Sequence, residues 1–212
     1  MKKIPTIFPK DPTDLGQVTD GVLMPGIEHF KIKIDGTACM IKDGKPFCRF
    51  DAKLFKRKKG KVIHYTMEEV ISKLPHGAIA CQKPDEKSGH FPHWIPVLDT
   101  DPGQKYILEG FLNLGDTLID GTYECVGPKL QGNPHGEDKH LWIPHFNDKL
   151  KLFHLFRIHT ENKPFEFLKD FLKDFKYEGL VAYDSNNLPI GKIRRSDFKY
   201  ENNGYGKASE LI

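Results

Sequence analysis

The sequence predicts an α+β fold, mainly β, with two or three helices packed on sheets. Three observations predict it. Runs such as FKIKID (30–35) and PFCRFD (46–51) alternate apolar and polar residues with the period of a strand. Asp43-Gly44 between two alternating runs is a hairpin signal. Residues 164–175, PFEFLKDFLKDF, repeat their apolar positions at helical spacing instead. A chain of 212 residues can bury a core of its own, as one compact domain or at most two small ones.

Taken in order, residues 1–27 are rich in Pro and Gly and read as an irregular lead-in. From Phe30 to Phe50 the alternation gives strands joined by the Lys42-Asp43-Gly44-Lys45 turn. Residues 53–62, KLFKRKKGKV, form a basic run with too few apolar positions to be core. Residues 66–74 read as a short helix capped by Thr66, with Glu69 completing a capping box. Residues 82–104 read as a long proline-bearing loop anchored by Phe91, Trp94, Ile95 and Val97. Strands are predicted near 105–112 and 118–126, a second long loop over 128–148, and a strand over 152–159. Pro164 suits the first turn of the helix that follows. GLVAYD (179–184) and PIGKIRRSDF (189–198) are again strand-like.

Composition excludes several classes. The 15 Phe, 7 Tyr and 2 Trp rule out a disordered chain. No apolar run reaches the ~20 residues of a membrane helix. Pro5 and Pro9 interrupt the basic start, so no secretory signal is expected, and the chain reads as intracellular, cytoplasmic or nuclear. Cys39, Cys48, Cys81 and Cys125 form no CxxC pair and read as reduced core thiols. His135, His140 and His145, with Glu137, match no zinc spacing and read as surface histidines. A phosphate-binding GxxxxGK[ST] loop, a GxGxxG turn and an HExxH helix are all absent. A net charge of +3 is too mild to imply a nucleic-acid partner by itself.

The distribution of charge says more. Along Lys31-Ile32-Lys33-Ile34-Asp35-Gly36, period two places Ile32 and Ile34 on one face and Lys31, Lys33 and Asp35 on the other. That polar face is either a solvated edge or the lining of a groove, with Lys33 as a nucleophile. A lysine amine attacks only when neutral, and its free pKa is about 10.4. Neighbouring cations and desolvation lower that value. Near the other end, Lys192 and Arg194 share a face around Ile193. Glu178 and Glu124 each stand at the start of an apolar strand. Two acids and three or more cations at strand ends and on polar faces suit Mg²⁺ and a triphosphate.

Together, K-x-D-G at Lys33–Gly36, Glu-Gly-Leu-Val at 178–181 and K-x-R at 192–194 resemble the ordered motifs of the covalent nucleotidyltransferases. That superfamily includes ATP-dependent DNA and RNA ligases and mRNA capping enzymes. IDGTACMI (34–41), CRFDAK (48–53), YECVGPKLQGNP (123–134) and KIRRSDF (192–198) are similar to the RNA ligases. PDEKSGHFPHWIPV (84–97) resembles a signature of the small 5′-to-3′ RNA ligase family. The resemblance spans residues 28–199 and leaves 200–212 as a tail.

The resemblance implies an ATP-grasp-like nucleotidyltransferase fold, antiparallel sheets flanked by helices, with the adenylylation domain only. It implies an ATP-dependent RNA ligase acting through a lysyl-AMP intermediate on Lys33 and an adenylylated RNA 5′ end. Asp35 and Gly36 would shape the lysine loop, with the backbone of Ile32 at the adenine. Arg49 would meet the nucleotide ribose or the RNA end, Glu124 the ribose or the metal, and Phe156 would stack on the base. Glu178, together with Glu124, would bind Mg²⁺ or Mn²⁺; Lys192 and Arg194 would hold the α-phosphate. Lys53, the basic run 56–61 and Arg195 would contact RNA, the partner with 5′-phosphate and 3′-hydroxyl ends, and a monomer without membrane association is expected. Three features depart from the family: Ile32 where many relatives carry Glu or Thr, Arg194 where many carry Lys, and a sequence with only 14 residues after Phe198. From the last, neither a C-terminal domain nor guanylyl transfer is expected. The alternatives are a DNA nick ligase, a stand-alone adenylyltransferase and a non-catalytic RNA-end binder.

Overall fold

The computed structural model describes residues 4–58, 61–85, 88–152, 163–201 and 204–212. It is α+β, with antiparallel sheets and few helices. The chain divides into two units. One holds Gly36–Leu130 and Asp138–Phe146; the other holds Lys3–Asp35, Gln131–Glu137 and Asn147–Ile212.

The first unit is built on a six-stranded sheet. Its strands are β2 (Thr37–Lys42), β3 (Lys45–Lys53), β6 (Ile79–Ala80), β7 (His90–Pro96), β8 (Gly121–Val126) and β9 (Leu141–Pro144), in the order β6-β7-β3-β2-β8-β9. The β2–β3 hairpin turns where the sequence predicts. Asp43 and Gly44 have φ of 52° and 68°, the left-handed pair such a turn needs. One face of the sheet carries Cys39, Cys48, Tyr123, Cys125 and Trp142, packed with Ile107 of α2 (Lys105–Leu112). A separate hairpin, β4 (Phe55–Lys58) and β5 (Lys61–His64), and the short helix α1 (Met67–Ile71) complete the unit. The α1 capping box forms: Thr66 accepts from the Glu69 N–H, and Glu69 accepts from the Thr66 N–H.

The other unit has a three-stranded sheet in the order β1-β10-β11, from β1 (His29–Lys33), β10 (Gly179–Tyr183) and β11 (Pro189–Arg194). Phe30, Leu180, Ala182 and Ile193 from this sheet pack on Phe165, Leu168 and Leu172 of α3 (Pro164–Lys173). The lead-in is irregular, yet it belongs to this core. Ile7 and Phe8 are buried in it, and the backbone around them bonds to Lys192 of β11.

The structure corrects several expectations. KYILEGFL (105–112) is helix α2, not a strand. Asp101 and Pro102 open a 3-10 turn that leads into it, and Gly110 lets it approach Trp142. A Cβ on Gly110 would stand 2.9 Å from that indole, so the tertiary contact, not strand propensity, decides the segment. HFPHWIP, expected to be loop, is strand β7 between β6 and β3. Pro92 has no N–H to give, but its carbonyl accepts from Cys81 at 2.9 Å. The 128–148 loop likewise contains β9. His135 and His140 are buried, not surface groups, at 1% and 4% exposure, and Glu137 is buried with them. All four cysteines are free, and burial pushes the Cys48 thiol up to about 11. The predicted strand over 152–159 falls almost wholly outside the described residues.

Candidate nucleotide site

In an antiparallel sheet, directly opposed residues project to the same face. The register of β1, β10 and β11 therefore builds one polar face row by row. Lys31 opposes Val181, which opposes Lys192; Lys33 opposes Gly179, which opposes Arg194. The opposite face takes Phe30, Leu180 and Ile193 into the core. Gly179 is required in the middle of its row. A Cβ there would stand 2.1 Å from the Ile193 carbonyl oxygen. Between Lys33 and Arg194 the middle strand thus carries no side chain.

Lys33 Nζ forms an ion pair with Glu178, the residue just before β10. Lys33 is part-buried, as is the carboxylate it meets. Lys192 lies on the same face, and its pKa falls from the ordinary 10.5 to about 8. Burial is the main cause; the charges of Lys33 and Arg194 add to it, and Glu178 and Asp197 oppose it. Lys33, Glu178, Lys192 and Arg194 are therefore one electrostatic cluster within one unit.

Arg194 is held rather than free. Asp197 is fully buried and receives the Arg194 N–H at 2.8 Å and its guanidinium at 3.0 and 3.3 Å, and Lys10 reaches the same carboxylate at 2.8 Å. Burial alone would raise the Asp197 pKa, but these donors outweigh it and the net shift is downward. The bond to Asp197 in turn raises that of Arg194.

Lys31 does not lie in a solvated edge. It is 2% exposed, its Nζ sits 4.9 Å from the Tyr183 ring centroid, and burial with the nearby Lys151 lowers its pKa. Ile32 is buried opposite Leu180. β1 ends at Lys33, and Asp35 lies in the loop beyond it. His135 secures that loop. Its Nε2 accepts from the Asp35 N–H at 3.1 Å, and its Nδ1 faces the Gly206 carbonyl at 2.8 Å. The amide must donate and the carbonyl must accept, so Nε2 is the accepting nitrogen and Nδ1 the donating one. Neither His135 nor Asp197 is marked by its spacing in the sequence. Each is recognisable only once the backbone it bonds is in place.

In the other unit, Gly36 packs against β8, where a Cβ would stand 2.5 Å from the Cys125 carbonyl oxygen. Arg49 of β3 and Glu124 of β8 both flank β2. Cys48 opposes Cys39, and Glu124 opposes Ala38, so parity puts Arg49 and Glu124 on the face opposite the cysteine core with the small Ala38 between. Arg49 stands across from Trp94. Glu124 meets His145 Nε2 at 3.2 Å. Lys53 is exposed at the end of β3, opposite His90. Arg195 donates to the Lys173 carbonyl at the end of α3, at 3.3 Å. Phe156 lies outside the described residues. Among the described residues, no group of three or more His, Cys, Asp or Glu side chains could hold a metal, and no helix is long and apolar enough to cross a membrane.

No family model matches the chain. Among curated proteins it is similar to one from Rattus norvegicus named RNA ligase 1, with 24% identity over 162 residues, covering 54% of this chain and 50% of the rat protein. The chain thus spans about half the length of the curated relative it matches.

Proposed function

We propose that this chain is an ATP-dependent RNA ligase of the small 5′-to-3′ family, built on a nucleotidyltransferase fold. One observation carries the reading: Lys33, bonded to Glu178, shares a sheet face with Lys192 and Arg194. The order of motifs and the similarity to a protein named RNA ligase 1 support it.

In the first step the Lys33 amino group parts from Glu178 and gives up a proton to solvent. The amine attacks the α-phosphorus of ATP, an N–P bond forms, and pyrophosphate leaves. In the second, a 5′-phosphate oxygen of RNA attacks the same phosphorus, and Lys33 departs as the amine. In the third, a 3′-hydroxyl attacks the capped 5′-phosphate and releases its proton to solvent, a phosphodiester forms, and AMP leaves. Each step moves a phosphoryl group, so positioning and charge neutralisation do the work. Lys192 and Arg194 would neutralise the α-phosphate, with Asp197 fixing the guanidinium. His135 would hold the loop that follows Lys33. Arg49 and Glu124 would meet the ribose.

Mg²⁺ is usually held by one or two carboxylates together with substrate phosphates, so one carboxylate, that of Glu178, beside a bound triphosphate is a fitting donor set. Bound there with the nucleotide, Mg²⁺ or Mn²⁺ would offset phosphate charge.

The test is sealing of a 5′-phosphorylated, nicked RNA compared with the matching DNA. The reading predicts a sealed RNA and a transient adenylylated 5′ end. Equal sealing of DNA would make it a DNA nick ligase; AMP uptake without sealing would leave a stand-alone adenylyltransferase.

A further inference from the structure

Lys53 and Lys56, from the basic run that the three chemical steps do not use, help to line a groove. Phe50 and Lys53 of β3, Lys56 of β4, and Tyr65 and Lys73 on either side of α1 line a pocket of about 820 Å³. All of it lies within the six-stranded unit. Its floor is a small core of Ala52, Val70 and Phe91, against which Leu54, Tyr65 and Leu74 pack. The β4–β5 hairpin is set on this floor by Phe55, whose ring sits where Gly89 has no side chain; a Cβ there would come within 2.6 Å of it.

The chemistry of the rim is specific. Three exposed lysines, Lys53, Lys56 and Lys73, line one groove. Among the described residues of the lining, the only carboxylate is Asp51, and the His90 ring already binds it. Two of the lysines converge on one aromatic: Lys73 Nζ lies 4.8 Å and Lys56 Nζ 6.0 Å from the Tyr65 ring centroid. Phe50, a large apolar ring, is 46% exposed at the same rim. Like charges gathered around one exposed ring, Phe50, and one half-buried ring, Tyr65, call for a ligand that is both anionic and flat-faced. A small apolar ligand would leave the lysines facing one another. A simple anion would leave the rings unused.

From this we infer that the groove binds single-stranded RNA. The lysines take successive phosphates, and Phe50 and Tyr65 stack on bases, the combination by which single strands are held without base reading. The choice of RNA among polyanions rests on the ligase reading above.

The experiment is fluorescence anisotropy of a labelled single-stranded RNA with the full chain, without ATP, over a series of salt concentrations. Lys56→Glu and Lys73→Glu should each weaken binding several-fold and flatten the salt dependence by roughly 0.7 in log–log slope for each phosphate left without its lysine. Tyr65→Leu preserves the floor packing and should lower affinity by about fivefold or more with the slope unchanged. Lys45→Glu, in the β2–β3 turn away from the groove lining, is the control and should bind as the unaltered chain does. Groove variants that bind like the unaltered chain, or a Lys45→Glu loss equal to theirs, overturn the proposal. So does displacement of the RNA by an acidic peptide of equal charge, which would assign the groove to a protein. AMP uptake by the unaltered chain is measured alongside. If it is present while groove variants bind normally, the groove proposal alone fails. If it is absent while groove variants lose RNA, the ligase reading alone fails.

Discussion

The polar face of the three-stranded sheet and the groove of the six-stranded unit both gather lysines, but they hold them differently. On the sheet, Lys33 has Glu178, Arg194 has the buried Asp197, and the lysine loop is bonded to His135. In the groove, Lys56 and Lys73 hover over one tyrosine ring and remain exposed. Partly buried cations on a rigid ladder are costly to assemble and hold their geometry. Exposed lysines on flexible stems are cheap and adaptable. The first arrangement suits phosphoryl transfer, where placement decides the rate. The second suits a ligand of variable sequence. Substitutions should therefore be severe on the sheet and graded in the groove.

The largest effect is expected at Lys192. Lys192→Ala removes a cation from the transferring phosphate and should slow AMP uptake by about 10²-fold or more. Circular dichroism should show the fold unchanged, since the side chain lies on the polar face. A loss below about threefold would place the α-phosphate elsewhere. Asp197→Asn comes next. It uncouples two cations from a buried carboxylate, so the expected cost is about 3 kcal/mol in denaturant unfolding. A neutral result would mean that the Arg194–Asp197 pair only decorates the sheet.

A pH titration sharpens the contrast further. Lys192 has its pKa depressed to about 8, chiefly by burial. Below that value it is charged and binds phosphate. Above it, ATP affinity should fall, by as much as about tenfold per pH unit while the free chain is neutral there. Lys192→Arg should remove the fall. For stability the sign is opposite. Between about 8 and 10.5 the unfolded chain holds the proton that the folded chain has lost, so Lys192 makes the fold more stable as pH rises through this window. Affinity that is flat from pH 7 to 9 would contradict the role.

Smaller still is His135→Leu. It leaves the Asp35 N–H and the Gly206 carbonyl without their partner, at about 1–3 kcal/mol. Because the loop follows directly on Lys33, the rate of AMP uptake at saturating ATP should fall more than ATP affinity does; an equal fall in both would mark a structural role only. Thr66→Ala, in the capping box of α1, should cost about 1 kcal/mol and leave AMP uptake alone.

What is legible in the sequence is what local chemistry decides. Asp43-Gly44 specifies its turn by φ, Thr66 and Glu69 their cap, and the Phe and Leu spacing of 164–175 its helix. Lys33, Glu178, Lys192 and Arg194 can be named because strand parity and motif order survive in one dimension. Segments decided by distant contacts mislead. KYILEGFL has the composition of a strand, but it is a helix that seats Gly110 on Trp142 and packs Ile107 into the core. Pro92 and Pro96 disguise β7, because pairing through a carbonyl leaves no trace in a sequence. The buried anchors are invisible for the same reason. Nothing adjacent to His135 shows that it clasps Asp35 and Gly206, residues 100 and 71 positions away. Asp197 lies within KIRRSDF, but its burial beneath Lys10 and Arg194 needs the folded lead-in.

The covalent step at Lys33 is tested most directly by incubating the chain with ATP and Mg²⁺ and measuring the mass of the intact protein and of its peptides. The predicted result is a single added AMP on the peptide bearing Lys33, absent from Lys33→Ala. An adduct that persists in Lys33→Ala, sits on another residue, or never forms would contradict it.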